Sequence, residues 1–185
     1  KTKPGETVVN KKIRREIESF TFTSSEWSFS DLRINIPSNS YGSDAINPHT
    51  QYSNPLAFLK TQNQIALGSS FTLGEGNQMV CEAANYSVKQ LDGVTLFELL
   101  NSNCGFHDTM TNPLQLRWIS PNAGLSMLAG GLIVNTLLDH MAKQCEMPAW
   151  EFLSKMPTDL LLSFFPKRHL PPKYNMRFFQ EILDK

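Results

Sequence analysis

The side chains best suited to chemistry lie in one short stretch, residues 101–108, NSNCGFHD, where Cys104, His107 and Asp108 follow closely on one another. A thiol beside an imidazole is the pairing that nucleophilic catalysis needs: the imidazole draws off the proton and a carboxylate orients it. On that reading Cys104 attacks, His107, His140 or His49 acts as base, and Asp108 or Asp139 holds the base in place. The protein would then be a cysteine-dependent hydrolase or transferase. The same atoms suggest a second chemistry. Cys104 and His107, with His140 and Cys145 further along, are four ligands of the types zinc prefers. Their spacing argues against it. The interval from His140 to Cys145 is one residue longer than the helical repeat that puts two side chains on one face, and no common zinc module has these intervals. Cysteines buried as small hydrophobes are the simpler account. Neither a metal nor any other cofactor is therefore expected.

Other reactive patterns are absent. Gly74-Glu75-Gly76 lacks the further glycine and the Lys-Ser/Thr pair of a phosphate-binding loop, and it reads as a turn. Neither Gly-x-Ser-x-Gly nor His-Glu-x-x-His occurs, and the carboxylates are scattered without a paired arrangement.

Charge offers a different kind of site. The 185-residue chain is formally neutral, with 17 basic and 17 acidic residues, but the charge is segregated. Residues 1–15 carry Lys1, Lys3, Lys11, Lys12, Arg14 and Arg15 against Glu6, a net +5. Residues 165–180 carry Lys167, Arg168, Lys173 and Arg177 without an acid, a net +4, while residues 20–160 sum to −6. In the stretch SFFPKRHLPPKYNMRFF, bases alternate with aromatic rings, a composition able to stack on unpaired nucleotides. Lys11, Lys12, Arg14, Arg15, Lys167, Arg168, Lys173 and Arg177 are accordingly the candidate contacts for a nucleic acid or an anionic protein partner. The competing account docks these bases on the acidic middle of the same chain. The pI near 7.1 favours it, because nucleic-acid binders are usually more basic.

The elements that would position these residues follow from hydrophobic period. Val9, Ile13, Ile17 and Phe20 make a helical stripe from Val8 to Phe20. Phe20 to Ile36 then alternates apolar and polar, which predicts one or two antiparallel strands turning near Ser24–Ser25 and ending at Pro37. Residues 37–55, rich in Ser, Asn and Pro, predict a long loop. Beyond it, Leu56 to Leu67 reads as a short helix. Phe71–Leu73 and Met79–Val88 read as extended chain, Val94–Leu100 as a short helix and Leu114–Trp118 as a strand. Ser120-Pro121 is a helix start, and the helix it opens runs to Gln144. Its Gly130-Gly131 pair suggests close packing against another backbone. Proline-punctuated helices follow at Ala149–Met156, Thr158–Phe165 and Tyr174–Leu183.

This order predicts an α+β fold in a single compact domain: an N-terminal helix and antiparallel strands, then a helical C-terminal half. Two lobes, 1–119 and 120–185, are the alternative division, and an opening residue other than Met suggests a fragment of a longer chain. From Trp118 to Leu138 no residue is charged, yet Asn, Ser, Thr and Pro interrupt the run, so a buried helix is expected rather than a membrane span. Cys81, Cys104 and Cys145, odd in number and irregularly spaced, point to an intracellular, reducing compartment, cytoplasmic or nuclear. The functional expectation is a non-enzymatic interaction module of an intracellular assembly, contacting protein or nucleic acid through its basic terminal segments. Oligomeric state has no signature in the chain.

Overall fold

The computed structural model describes residues 7–33, 53–72, 74–102, 106, 109–110, 116–120, 124–164 and 176–183. The first helix, α1 (Val8–Ser19), begins at Thr7, whose Oγ1 accepts the Asn10 N–H at 3.1 Å. Ile13 and Ile17 are wholly buried. Beyond Phe20 the chain is extended but does not form a hairpin with the strand after it. Phe22 N–H donates to the Val94 carbonyl at 2.9 Å, and Leu96 N–H donates to that of Phe20 at 2.9 Å. The expected turn at Ser24–Ser25 is instead one turn of 3-10 helix, Ser24–Glu26, that leads into β1 (Trp27–Arg33).

The sheet has three antiparallel strands in the order β1-β2-β3, where β2 is Ser53–Lys60 and β3 is Ile65–Ser69. These two strands replace the short helix expected over Leu56–Leu67. In β2, Ala57 and Leu59 are buried on one face while Leu56 and Phe58 lie half-buried on the other. The run is apolar on both faces, and the alternation that marks a strand is lost. The loop expected over 37–55 lies outside the described residues except for its last three positions, which open β2.

Helix α2 (Asn77–Gln90) stands where Met79–Val88 reads as extended. Its buried positions, Asn77, Val80, Cys81, Ala83, Ala84, Ser87 and Val88, have helical spacing, but four of the seven are small or polar and leave no apolar stripe. The short helix α3 (Leu96–Leu100) forms where expected, behind a capping box in which Thr95 and Glu98 satisfy each other's backbone N–H. Residues 116–118 form a 3-10 turn, not a strand.

The long helix α4 (Leu125–Gln144) opens at Gly124, later than the Ser120-Pro121 signal suggests. Ser120 still serves its start: Ser126 N–H donates to Ser120 Oγ at 3.1 Å. Three shorter helices follow, α5 (Ala149–Lys155), α6 (Thr158–Ser163) and α7 (Met176–Leu183). The architecture is α+β, as expected.

Sheet and helices meet around α4. Its residues Ala129, Leu132, Ile133, Leu137 and Met141 share one core with Ile13, Ile17, Leu59, Ala66, Val88 and Phe152. Of the predicted Gly130-Gly131 pair, Gly131 makes no close approach, whereas Gly68 on the sheet does. A methyl group added at Gly68 would lie 2.7 Å from the Leu132 carbonyl oxygen and nearer still to Thr136, whereas one at Gly131 would meet nothing within 4 Å. Helix α4 is long and apolar enough, at mean hydropathy 1.3, to cross a membrane by length and composition. Its buried face is covered by β3 and α2, which is the position of a core helix.

Candidate functional site

The two edges of the sheet are treated differently. In an antiparallel sheet the N–H and C=O of alternate residues point to alternate sides. Ser70 N–H donates to the Pro55 carbonyl, so the odd residues of β2 bond to β3 and the even ones to β1. The outward groups of β3 therefore belong to Ile65, Leu67 and Ser69, and α4 bonds one backbone group of each. Lys143 Nζ donates to the Ile65 carbonyl at 2.9 Å, Asp139 Oδ2 accepts the Leu67 N–H at 2.8 Å, and Asn135 Nδ2 donates to the Ser69 carbonyl at 2.8 Å. Asn135, Asp139 and Lys143 recur at every fourth position and so lie along one side of the helix.

By the same register the outward groups of β1 are those of Phe29 and Asp31, with Trp27 and Arg33 at its ends. A groove of about 510 Å³ runs along this edge, between β1 and α2, walled by Trp27, Phe29, Asp31, Cys81, Glu82 and Asn85. At one end a buried polar cluster joins strand to helix. Asn77 Nδ2 donates to Asp31 Oδ1 at 2.9 Å and to Ser53 Oγ at 2.6 Å, Asn77 Oδ1 accepts from Thr72 Oγ1, and Arg33 Nε donates to Asp31 Oδ2 at 2.8 Å. Both oxygens of Asp31 are thus engaged. Burial, followed by the nearby Asp31 and Glu82 carboxylates, pushes the Cys81 thiol above its ordinary pKa.

Of the catalytic candidates, Cys104, His107, Asp108 and His49 lie outside the described residues. His140 is 5% exposed, and its ring meets that of Phe20 edge-on at 5.3 Å. The Gln64 side-chain nitrogen lies 3.0 Å from the His140 carbonyl, which can only accept, so this nitrogen donates. It also lies 2.8 Å from His140 Nδ1, which must then carry the lone pair, leaving the proton on Nε2. Burial lowers the pKa of this imidazole against the opposing pull of Asp139 and Glu16. Cys145 is buried, and burial first, then Glu16, raises its thiol pKa. Zinc needs a thiolate and a lone pair, and here the thiolate is disfavoured. Among the described residues no three His, Cys, Asp or Glu side chains come together to hold a metal ion.

Among the described residues, four of the five basic candidates lie beside a carboxylate of the same chain. Arg14 reaches α6 and forks onto the Asp159 carboxylate at 3.2–3.4 Å. Lys12 lies 3.8 Å from Glu146, Arg15 Nη2 bonds Glu16 at 2.8 Å, and Arg177 bonds Glu181 at 3.0 Å. Lys11 is exposed, and Lys167, Arg168 and Lys173 lie outside the described residues.

No protein-family model matches the chain. Curated proteins do. It is 35% identical over 127 residues to L-galactonate dehydratase of Hypocrea jecorina, covering 68% of this chain and 28% of that protein. It is 32% identical over 149 residues to mitochondrial enolase superfamily member 1 of Bos taurus, covering 79% and 34%. The chain resembles part of an enolase-superfamily enzyme. The crystal structure of the human mitochondrial enolase superfamily member 1 agrees, with a TM-score of 0.77, 28% identity, and coverage of 89% of this chain and 37% of that one. The chain thus spans about a third of the length of these relatives.

This similarity overturns the expected non-enzymatic interaction module, together with the protein- and nucleic-acid-binding role given to the basic termini, because the relatives are enzymes. The physical reason is visible in the ion pairs. Among the described residues, bases of the termini meet acids of the middle of the chain, as Arg14 meets Asp159 and Lys12 meets Glu146.

Proposed function

We propose that this chain is one part of a longer enolase-superfamily enzyme that dehydrates a sugar acid of the L-galactonate kind, and that it supplies framework to that enzyme while proton transfer occurs elsewhere in it. The observation that carries this reading is the 35% identity over 127 residues to a protein named for that reaction. Losing water from a hydroxy acid means removing a proton beside the carboxylate and expelling a hydroxyl. Enolase-superfamily sites do this with a Lys or His base and with magnesium ions that stabilise the ene-diolate. The described residues do not fit those ions, since no three ligand side chains converge. Nor do they offer the base: His140 is buried with Nδ1 occupied by Gln64, and Lys143 is tied to Asp139 at 2.7 Å. No acid–base set is assembled among the described residues, which supports placing it in the remainder of the longer enzyme.

The compartment that fits is intracellular. The bovine relative is named mitochondrial, and Cys81 and Cys145 are buried free thiols. A chimera tests the reading directly. Residues 1–185 replace the matching segment of the Hypocrea jecorina dehydratase, and water loss from L-galactonate is followed. The expected result is an active chimera and an inert isolated chain. A folded but inert chimera, or dehydration by the isolated chain, would overturn it.

A further inference from the structure

We infer that the cleft between the end of α1, the β2–β3 turn and the last turns of α4 is a binding site for a neutral polyhydroxylated molecule, about the size of one sugar ring, that pairs with the side-chain N–H of His140. The site is assembled wholly from residues of this chain, so it does not depend on the proposed function.

His140 is what singles the cleft out. It is 5% exposed, and Gln64 uses both its Nδ1 and its carbonyl. The ring proton is therefore on Nε2, and among the described residues nothing accepts it. Trp27 Nε1 is the one side-chain nitrogen or oxygen, among the described residues, that is both sealed from the surface and without a partner. His140 Nε2 is thus not sealed. It opens onto a cleft of about 340 Å³ that His140 lines. A donor left unmatched on a nearly buried side chain destabilises the fold unless something from outside pairs with it.

Local structure brings the other walls to this N–H. The β2–β3 turn closes with Thr61 N–H donating to the Gln64 carbonyl at 3.0 Å, and the Gln64 side chain then reaches α4 at His140. The turn that carries Gln62 and Asn63 is thereby tied to the helix that carries His140 and Gln144. From the opposite side α1 presents Glu16, next to the buried Ile17 that anchors this helix in the core.

The lining narrows the chemistry. Among the described residues, two carboxylates, Glu16 and Glu26, face the cleft and no Lys or Arg lines it. Arg15, itself 72% exposed, offsets Glu16 alone. Burial keeps the His140 pKa below 6.5, so at neutral pH its ring carries no charge. An anionic ligand would meet repulsion without a counter-charge. A cation would suit the carboxylates but would confront the Nε2 proton, which needs an acceptor. Hydroxyl groups meet both demands, because each donates to a carboxylate and accepts from an N–H. The side-chain amides of Gln62, Asn63 and Gln144 offer the same two-way bonding, and Phe20 adds an aromatic wall for the C–H side of a sugar ring. The volume lies at the lower end of small-molecule pockets, about 300–1,000 Å³, which limits the occupant to a single ring.

The test is a titration of the isotope-labelled 185-residue chain followed by proton–nitrogen NMR. The probes are D-galactose, D-glucose and D-mannitol as neutral polyols, D-galactonate as an anion and putrescine as a cation. At least one neutral polyol should shift the His140 Nε2 resonance together with the Asn63 and Gln144 signals, along one binding curve in the millimolar range. Galactonate should bind about tenfold or more weakly, and putrescine should leave His140 Nε2 unmoved. His140→Phe keeps an aromatic ring without the N–H and should abolish binding. It also leaves Gln64 without its partner, so Asn63→Ala and Gln144→Ala carry the test if that variant does not fold; each should weaken the polyol several-fold in a folded chain. If the chain alone does not fold, the same titration is read from labelled histidine in the chimera. An unmoved His140 Nε2 with all three polyols would mean water alone in the cleft and overturns the inference, as does tighter binding of galactonate or putrescine. The dehydratase assignment is read separately, from the activity of the chimera.

Discussion

Gly68 is the position where sheet and helix come closest, and its lack of a side chain is what permits the contact. Gly68→Ala would push a methyl group into the α4 backbone at Leu132 and Thr136, which cannot yield as a flexible side chain would. The expected loss is about 3 kcal/mol, read as a lower urea midpoint at unchanged slope. His140 gives a prediction with a definite sign. Burial holds its folded pKa below the ordinary 6.5, so between the two values the unfolded chain binds the extra proton. Its contribution is complete above pH 6.5 and is lost as pH falls below it toward the folded value. The thermal midpoint should drop on acidification, and His140→Gln should flatten the part of that drop due to this residue. His140 stood out in the sequence as a reactive type, but its meaning came from Gln64, 76 residues away. Nothing in the sequence near either residue announces that pairing.

At the scale of elements, the Arg14–Asp159 pair joins α1 to α6. The Arg14 side chain is 16% exposed and that of Asp159 is 39% exposed. Arg14→Ala should destabilise by about 1 kcal/mol, and added salt should narrow the gap between variant and parent. Asn77 ties the first turn of α2 to β1 and β2, and it is fully buried. Asn77→Ala strands Asp31 and Ser53 without its amide and should cost about 1–3 kcal/mol, measured by chemical unfolding.

The elements legible in the sequence were those whose apolar residues are large and one-sided: α1 through Ile13 and Ile17, β1 through Trp27 and Phe29, and α4 through its long uncharged run. Those misread broke that rule. β2 carries Leu56 and Phe58 on its open face as well as Ala57 and Leu59 beneath, and α2 buries Asn77, Ala84 and Ser87, which leave no hydrophobic trace. The β1 groove was invisible for another reason. Its walls are β1 and α2, about 50 residues apart, and only the register of β1 on β2 shows which backbone groups face it.

At the scale of the whole molecule, the proposed enzyme divides its labour: one part builds a framework and another carries the acid–base set. The chimera should be active, whereas the isolated chain should fold cooperatively and be catalytically silent. Its unfolding, followed by far-UV and near-UV circular dichroism, should give coincident transitions, because one core draws on Ile13 and Ile17 as well as Leu137 and Phe152.

The three clasps between α4 and β3 also act as a vernier. Four residues of helix rise about 6 Å, and two residues of strand advance about 6.6 Å. Asn135, Asp139 and Lys143 can therefore keep step with Ser69, Leu67 and Ile65 over a short distance, with the error growing at each mark. A strand much longer than the five residues of β3 would run out of phase with its helix. Inserting one residue into α4 between Asn135 and Asp139 would misalign the scale at once, shedding the clasps beyond the insertion together and opening the sheet at that end.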